Sequence, residues 1–319
     1  MNLLRAVGVK KIVSWAGMAL MLVSLLFIAR RLILTWHGVD LSILTSPRII
    51  IALLLIALMI GISIILASIN FRILIANISG IRVERALAAK VYASSNLYKY
   101  IPGGVMYVLG RNRMAIETEG LSHGKVVLST ALEGIILAVA ALIFSMAFAF
   151  NYFRYYIRQF NILPPVSLVL GLIALIIISV LFLFRRQLRT SLSQLKNNTK
   201  DFRLAVLAKR LAFAFALVSL WSGIFLLTSM LMGQHMPTLR LGVTIMGTYI
   251  LAWLAGMLIP GVPGGLGIRE AALLMLMPGM LCEHILLSAI VMHRVLSVVG
   301  DVAAYGMAVI YSRICSGAK

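Results

Sequence analysis

The chain has 319 residues, of which 62% are hydrophobic and only 12% are charged. Soluble domains carry about 25% charged residues, so the composition excludes an ordinary soluble enzyme and indicates a chain dissolved largely in lipid. The 29 Lys and Arg residues far outnumber the 9 Asp and Glu residues. They lie between apolar runs, however, which is typical of membrane-protein loops and not of a nucleic-acid-binding domain.

Six apolar runs are long enough to cross a bilayer, which requires about 20 helical residues. We expect the first run to be an anchored span and not a cleaved signal peptide, because no small-residue cleavage site follows it. Charged residues interrupt the last run. In chain order the predicted spans are 12–29, 49–69, 126–150, 166–184, 204–232 and 285–311.

Two further segments, 86–111 and 241–281, are helical in pattern but contain clusters of proline and glycine. The first breaks at Pro102-Gly103-Gly104 and the second at Pro263-Gly264-Gly265, and such clusters end helices. Each segment therefore predicts a helical hairpin, either re-entrant or fully spanning. The expected fold class is an all-α polytopic membrane protein with six full spans and two broken hairpins.

The distribution of basic residues predicts the orientation of the spans. With the N-terminus placed in the cytoplasm, most of the 29 Lys and Arg residues fall on the cytoplasmic side. This positive-inside bias predicts an inner-membrane protein with both termini in the cytoplasm.

The two Pro-Gly-Gly turns are 161 residues apart, and the same offset relates the spans of the two halves. Residues 1–161 (spans 12–29 and 49–69, hairpin 86–111, span 126–150) and residues 162–319 (spans 166–184 and 204–232, hairpin 241–281, span 285–311) are therefore predicted to be inverted repeats. Inverted repeats with broken helices are a transporter architecture, although chance resemblance between membrane helices is the alternative.

Charged residues inside apolar helices are candidates for function, because an unpaired one costs at least about 2.5 kcal/mol. The 161-residue offset relates Glu133 to Arg294, so these two side chains can approach each other across the repeat axis. Such a pair either joins helices or, together with Asp301, gates or couples transport. Arg111 and Arg269 follow the two breaks, where a guanidinium and backbone N–H groups can together hold a phosphate.

The sequence predicts no metal site and no cofactor. Its two cysteines are isolated, and its five histidines form no ligand pair. No phosphate-binding G-x-x-x-x-G-K-[ST] loop occurs, so energy for transport would come from a gradient or a partner protein.

Two motifs resemble the lysylphosphatidylglycerol synthase transmembrane family, whose members include the flippase half of the multiple peptide resistance factor. They are Tyr98-Lys99-Tyr100-Ile101-Pro102-Gly103-Gly104 with Gly110-Arg111, and Pro263-Gly264-Gly265-Leu266-Gly267-Ile268-Arg269-Glu270-Ala271. The resemblance covers nearly the whole chain and implies movement of lipids between leaflets. It does not imply lysyl transfer, which belongs to a separate soluble domain in the bifunctional relatives.

We therefore expect a non-enzymatic lipid flippase or transporter for an anionic phospholipid or lipid-linked glycan. Its expected partners are anionic membrane lipids and envelope-biosynthesis proteins, and no nucleic acid. The alternatives are a non-catalytic subunit for envelope assembly and an intramembrane lipid-modifying enzyme. The predicted substrate-binding residues are Arg111, Arg269, Glu270, Gly103, Gly104, Gly264 and Gly265, and the predicted gating or coupling residues are Glu133, Arg294 and Asp301.

Overall fold

A computed structural model describes residues 46–100, 106–160, 204–233, 236–259 and 262–317, together with the isolated positions Leu26 and Arg30. Apart from Leu26, the predicted spans 12–29 and 166–184 lie outside the described residues, as do Gly103 and Gly104. In the described part of the chain, the regular secondary structure is helical, which confirms the predicted all-α fold class.

The helices follow one another in an order that repeats after the middle of the chain. We number them α1 to α9, and two short 3₁₀ turns, 98–100 and 263–265, mark the breaks. They are α1 (Pro47–Ser79), α2 (Arg85–Leu97), α3 (Met106–Arg111), α4 (Arg113–Glu117), α5 (His123–Phe160), α6 (Leu204–Leu231), α7 (Leu239–Leu258), α8 (Ile268–Leu276) and α9 (Glu283–Gly317).

Five of the described helices, α1, α5, α6, α7 and α9, are long and apolar enough to cross a membrane. Four of them coincide with the predicted spans 49–69, 126–150, 204–232 and 285–311, and α9 is continuous through its charged residues. The face of α1 that carries Ile51, Leu54 and Leu55 leaves each of these side chains more than half exposed. An apolar face of this size is stable against lipid but not against water.

The two predicted hairpins are both broken, but their arms differ in length. In the first hairpin α2 has 13 residues and α3 has six. In the second hairpin α7 has 20 residues and α8 has nine. At about 1.5 Å of rise per residue, neither α3 nor α8 can cross a bilayer. The arm that follows each break is therefore too short to span, whereas α7 is itself of spanning length.

The helices of one half pack against those of the other half in a crossed pattern. Helix α1 packs along α9, and α6 packs along α5; α2 packs on α9, and α7 packs on α5. Leu97 and Leu258, which end α2 and α7, are 161 residues apart, as the predicted repeat requires. The division of the chain into inverted repeats stays a prediction that this arrangement supports.

Helices α1 and α9 approach each other closely near the middle of both. A Cβ atom added to Gly300 would lie only 2.6 Å from Cγ2 of Ile60, and one added to Gly61 would lie 3.1 Å from the carbonyl oxygen of Gly300. Asp301 adjoins this crossing, so residues that contact it lie about halfway along the spanning helices. The fold therefore places the two breaks at the centre of the helical bundle.

Candidate functional site

The second break is a glycine turn that touches the first break. Gly264 and Gly265 have φ angles of 56° and 69°, a region in which residues with a side chain are strained. A Cβ atom added to Gly265 would also lie 3.1 Å from the backbone of Gly256. One added to Gly264 would lie 3.7 Å from the carbonyl oxygen of Lys99. Glycine is thus required for the turn itself and for its close contact with helix α7.

Asp301 joins the first break to α9. Its carboxylate accepts hydrogen bonds from Asn96 at 2.6 Å, from Lys99 at 3.0 Å and from the hydroxyl of Tyr100. Asp301 is 1% exposed, and the Lys99 ammonium group also lies 2.7 Å from its second oxygen. Because a buried carboxylate without donors is strongly unfavourable, this cluster holds the first break against the middle of α9.

Glu133 is paired with Arg111. The Arg111 guanidinium donates to one carboxylate oxygen, and the hydroxyl of Tyr92 donates to the other at 2.9 Å. The guanidinium also lies 4.2 Å from the centre of the Tyr92 ring, which favours a cation–π contact. Arg111 and Glu133 are 4% and 3% exposed, so this is a buried, charge-neutral arrangement.

Arg294 is held by the second break and not by Glu133. Both terminal nitrogens of Arg294 donate to the carbonyl oxygen of Gly264 at 3.3 Å. Its Nε atom lies 3.8 Å from the carboxylate of Glu270, which also accepts a 2.7 Å hydrogen bond from the backbone of Gly267. Among the described residues no ion pair joins Glu133 to Arg294, although both side chains line one cavity. Glu133 of α5 pairs with Arg111 at the end of the first hairpin, and Arg294 of α9 lies beside Glu270 of the second hairpin, so each carboxylate meets an arginine of its own half.

Arg269 contacts an aromatic and imidazole pair that the sequence did not single out. It donates to the hydroxyl oxygen of Tyr249 and lies 4.6 Å from the centre of that ring. The Tyr249 hydroxyl is 2.9 Å from Nε2 of His293, whose Nδ1 lies 3.4 Å from the hydroxyl of Thr228. Within the described residues, no carboxylate lies at ion-pair distance from Arg269.

These groups surround a cavity of about 370 Å³ between the two breaks. Gly264, Gly265 and the indoles of Trp221 and Trp253 also line it. Its charged lining comprises the cations Lys99, Arg111, Arg269 and Arg294 and the carboxylates Glu133 and Asp301.

The charge of the site is positive overall. Asp301 compensates Lys99, Glu133 compensates Arg111, and Glu270 lies beside Arg294. This pairing leaves the charge of Arg269 in excess. Arrangements of this kind favour a monoanionic ligand, because a low-dielectric site strengthens its attraction to an uncompensated cation.

Sequence reasoning found the charged residues of the site but not their aromatic partners. Asn96 of α2 forms a helix–helix hydrogen bond to Asp301 of α9. The hydroxyl of Tyr100 also contacts Asp301. Tyr249 and His293 gave no signal, because a single tyrosine or histidine in an apolar helix looks like packing. The substrate-binding and gating roles assigned from the sequence stay predictions.

Comparison with known proteins agrees with the resemblance seen in the motifs. The family described as the lysylphosphatidylglycerol synthase TM region matches residues 11–304. No curated protein and no solved structure matches the chain. The chain therefore belongs to the lysylphosphatidylglycerol synthase transmembrane-region family, and it is a membrane protein of lipid-related envelope biosynthesis or transport.

Proposed function

We propose that this protein moves a lipid with an anionic phosphate headgroup between the leaflets of the inner membrane, without chemical change to the lipid. The substrate class comprises anionic phospholipids and lipid-linked glycans. In this proposal both termini are cytoplasmic, and the two halves of the chain act as inverted repeats.

The observation that carries the proposal is the positively charged cavity at the centre of the bundle. An uncompensated cation at membrane depth costs at least about 2.5 kcal/mol. A charged cavity there is therefore expected to bind a ligand whose charge offsets this cost. The volume of about 370 Å³ suits a headgroup and excludes two long acyl chains. The headgroup therefore enters the cavity while the acyl chains remain in the surrounding lipid.

The two breaks supply a means of opening the cavity to one side at a time. The first break is attached to α9 through Asp301, and the second break is attached to α9 through Arg294. Short arms on both sides of the cavity can move without disturbing the long spans. Loosening the contacts of Asp301 opens the first break, and loosening those of Arg294 opens the second, which assigns both residues to gating.

Reconstitution into liposomes tests the proposal directly. Fluorescent phosphatidylglycerol is incorporated in both leaflets, and dithionite quenches the probe that lies in the outer leaflet. Vesicles with the wild-type protein are expected to lose nearly all fluorescence, whereas protein-free vesicles lose about half. Equal quenching in both preparations, across several anionic lipids, would contradict transport.

Variants of Arg269 connect the activity to the cavity. Arg269→Ala is expected to slow translocation by about tenfold or more, because a charge-assisted contact is worth about 1.5–3 kcal/mol, and Arg269→Lys is expected to retain part of the rate. Arg240→Ala is the matched control, since Arg240 is an exposed arginine at the start of α7. Equal rates for Arg269→Ala and Arg240→Ala would remove Arg269 from the transport path.

The same vesicles separate transport from the two other function classes. Mass spectrometry of the lipids before and after incubation is expected to show unchanged headgroups and acyl chains. A new lipid species would indicate an enzyme. Absence of translocation, together with co-purifying envelope-biosynthesis proteins, would favour an assembly subunit.

A further inference from the structure

The two halves of the bundle contain matching arrangements of arginine on tyrosine. In the first, which we call cage 1, Arg111 lies over the ring of Tyr92 and both contact Glu133. In the second, cage 2, Arg269 lies over the ring of Tyr249, and the tyrosine hydroxyl contacts His293. Each arginine comes from the segment after a break, each tyrosine from the helix before it, and each third residue from the long helix that follows.

The six residues occupy corresponding but not identical positions in the two halves. Tyr92 and Tyr249 are 157 residues apart, and Arg111 and Arg269 are 158 residues apart. Glu133 and His293 are 160 residues apart. The centres of the tyrosine rings lie 4.2 Å and 4.6 Å from the guanidinium carbon of the arginine above them. The cages therefore correspond in the elements that supply their residues and in the distance between arginine and tyrosine.

The cages differ in the charge of their third residue. In cage 1 the carboxylate of Glu133 compensates the guanidinium of Arg111, and Tyr92 bonds the second carboxylate oxygen. The carboxylate thus occupies the place where an anionic ligand would meet the arginine and the tyrosine. Cage 1 is consequently filled by a group of the protein itself.

The hydrogen-bond network of cage 2 fits one tautomer of a neutral His293. The hydroxyl of Thr228 donates to the carbonyl oxygen of Ile224 at 2.8 Å, so its oxygen accepts from Nδ1–H of His293. Nε2 of His293 then accepts from the hydroxyl of Tyr249, whose oxygen in turn accepts from Arg269. Nothing in this chain of bonds compensates the positive charge of Arg269.

We propose that cage 2 is a subsite for one phosphate monoanion, which Arg269 binds while Tyr249 and His293 hold its guanidinium in place, and that Glu133 fills the corresponding subsite of cage 1. The ligand chemistry is that of a phosphodiester in a lipid headgroup or of free phosphate. The inference rests on the proposed function and sharpens it. The sequence predicted that both Arg111 and Arg269 bind the substrate. The inference assigns anion binding to Arg269 and a structural role to Arg111.

Substitutions at His293 test the charge argument with little change in shape. His293→Glu places a carboxylate beside Arg269, as Glu133 lies beside Arg111, and is expected to fill cage 2 with a group of the protein. His293→Gln keeps an acceptor for the Tyr249 hydroxyl without adding charge. The affinity of the Glu variant for a phosphodiester is expected to be at least about tenfold below that of the Gln variant.

Binding is measured in an uncharged detergent with three soluble probes: dihexanoyl phosphatidylglycerol, dihexanoyl phosphatidylcholine and inorganic phosphate. Calorimetry gives the stoichiometry, and tryptophan fluorescence reports on the cavity through Trp221 and Trp253, whose rings are 5.2 Å apart. One phosphatidylglycerol is expected to bind per chain, more tightly than phosphatidylcholine, whose ammonium group meets a positive site. Competition by inorganic phosphate would show that the phosphate group alone is recognised, and its failure to compete would show that the lipid is required.

Three results would overturn the inference. They are equal affinities of the Glu and Gln variants, two anions bound per wild-type chain, and unchanged translocation by His293→Glu in liposomes. If His293→Glu does not fold, Arg269→Met is compared with Arg240→Met, and equal affinities would overturn the inference as well.

The outcomes separate this inference from the proposed function. One bound anion that is lost in His293→Glu, without any translocation by the wild type, would uphold the subsite and reject transport. Translocation that is independent of cage 2 would uphold transport and reject the subsite.

Discussion

Removing the negative charge of Asp301 is expected to destabilise the protein, because it leaves the ammonium group of Lys99 inside the bundle without its carboxylate. Breaking a buried ion pair from one side costs about 3–5 kcal/mol. The Asp301 side chain is 1% exposed, whereas the Lys99 side chain is 30% exposed. Because water can still reach the Lys99 ammonium group, the cost of Asp301→Asn is expected at the lower end of this range, about 3 kcal/mol. Lys99→Met leaves the buried carboxylate of Asp301 without its cation, but Asn96 and Tyr100 still donate hydrogen bonds to it. Its cost is therefore expected to be similar to that of Asp301→Asn.

The double variant distinguishes charge pairing from simple packing. Lys99→Met together with Asp301→Asn removes both charges and leaves neither one unpaired. Its free energy of unfolding is expected to lie within about 1 kcal/mol of the wild-type value, far from the sum of the single losses. The assay is equilibrium unfolding in mixed micelles, followed by tryptophan fluorescence.

The exposed pair of Arg113 and Glu117 supplies the control. These residues are four positions apart on α4, and their side chains are 60% and 34% exposed. Arg113→Ala is expected to cost no more than about 0.5 kcal/mol. Additive losses in the double variant, or single losses no larger than that of Arg113→Ala, would refute the view that the Asp301 cluster holds the first break.

Three further predictions concern packing, the second break and orientation. Gly300→Ala is expected to destabilise the protein by about 1–3 kcal/mol in the same unfolding assay, because the new Cβ atom would lie 2.6 Å from a side-chain carbon of α1. Gly265→Ala is expected to cost at least about 1–2 kcal/mol because of its positive φ, with an added clash against the backbone of Gly256; wild-type stability would contradict the turn described here. Cys282 and Cys315 lie just before and near the end of α9, so a membrane-impermeant maleimide is expected to label Cys282 in intact spheroplasts and Cys315 only after lysis. The reverse order of labelling would invert the proposed orientation.

The amino-acid sequence was sufficient to predict the class of fold and the position of its main interruptions. Lipid imposes a long apolar run on each spanning helix, so 49–69, 126–150, 204–232 and 285–311 were visible without a structure. Proline and glycine cannot continue a helix without cost, so the breaks near Gly264 and before Arg111 were visible as well. Because placing a charge in lipid has a high free-energy cost, the acidic residues and arginines of the cavity were also visible as candidates.

Tertiary structure decided which of those charges meet. Glu133 and Arg294 occupy equivalent places in the predicted repeats, yet they bind Arg111 and Glu270, because pairing depends on the rotation and depth of each helix. The spacing of residues along the chain gives neither the rotation nor the depth of a helix. Tyr249 and His293 could not be recognised for the same reason, since only the packed bundle brings their polar atoms to Arg269. Apolar patterning along the chain thus determined what lies in the membrane, whereas the packing of helices distant in sequence determined which arginine of the cavity has no carboxylate at ion-pair distance.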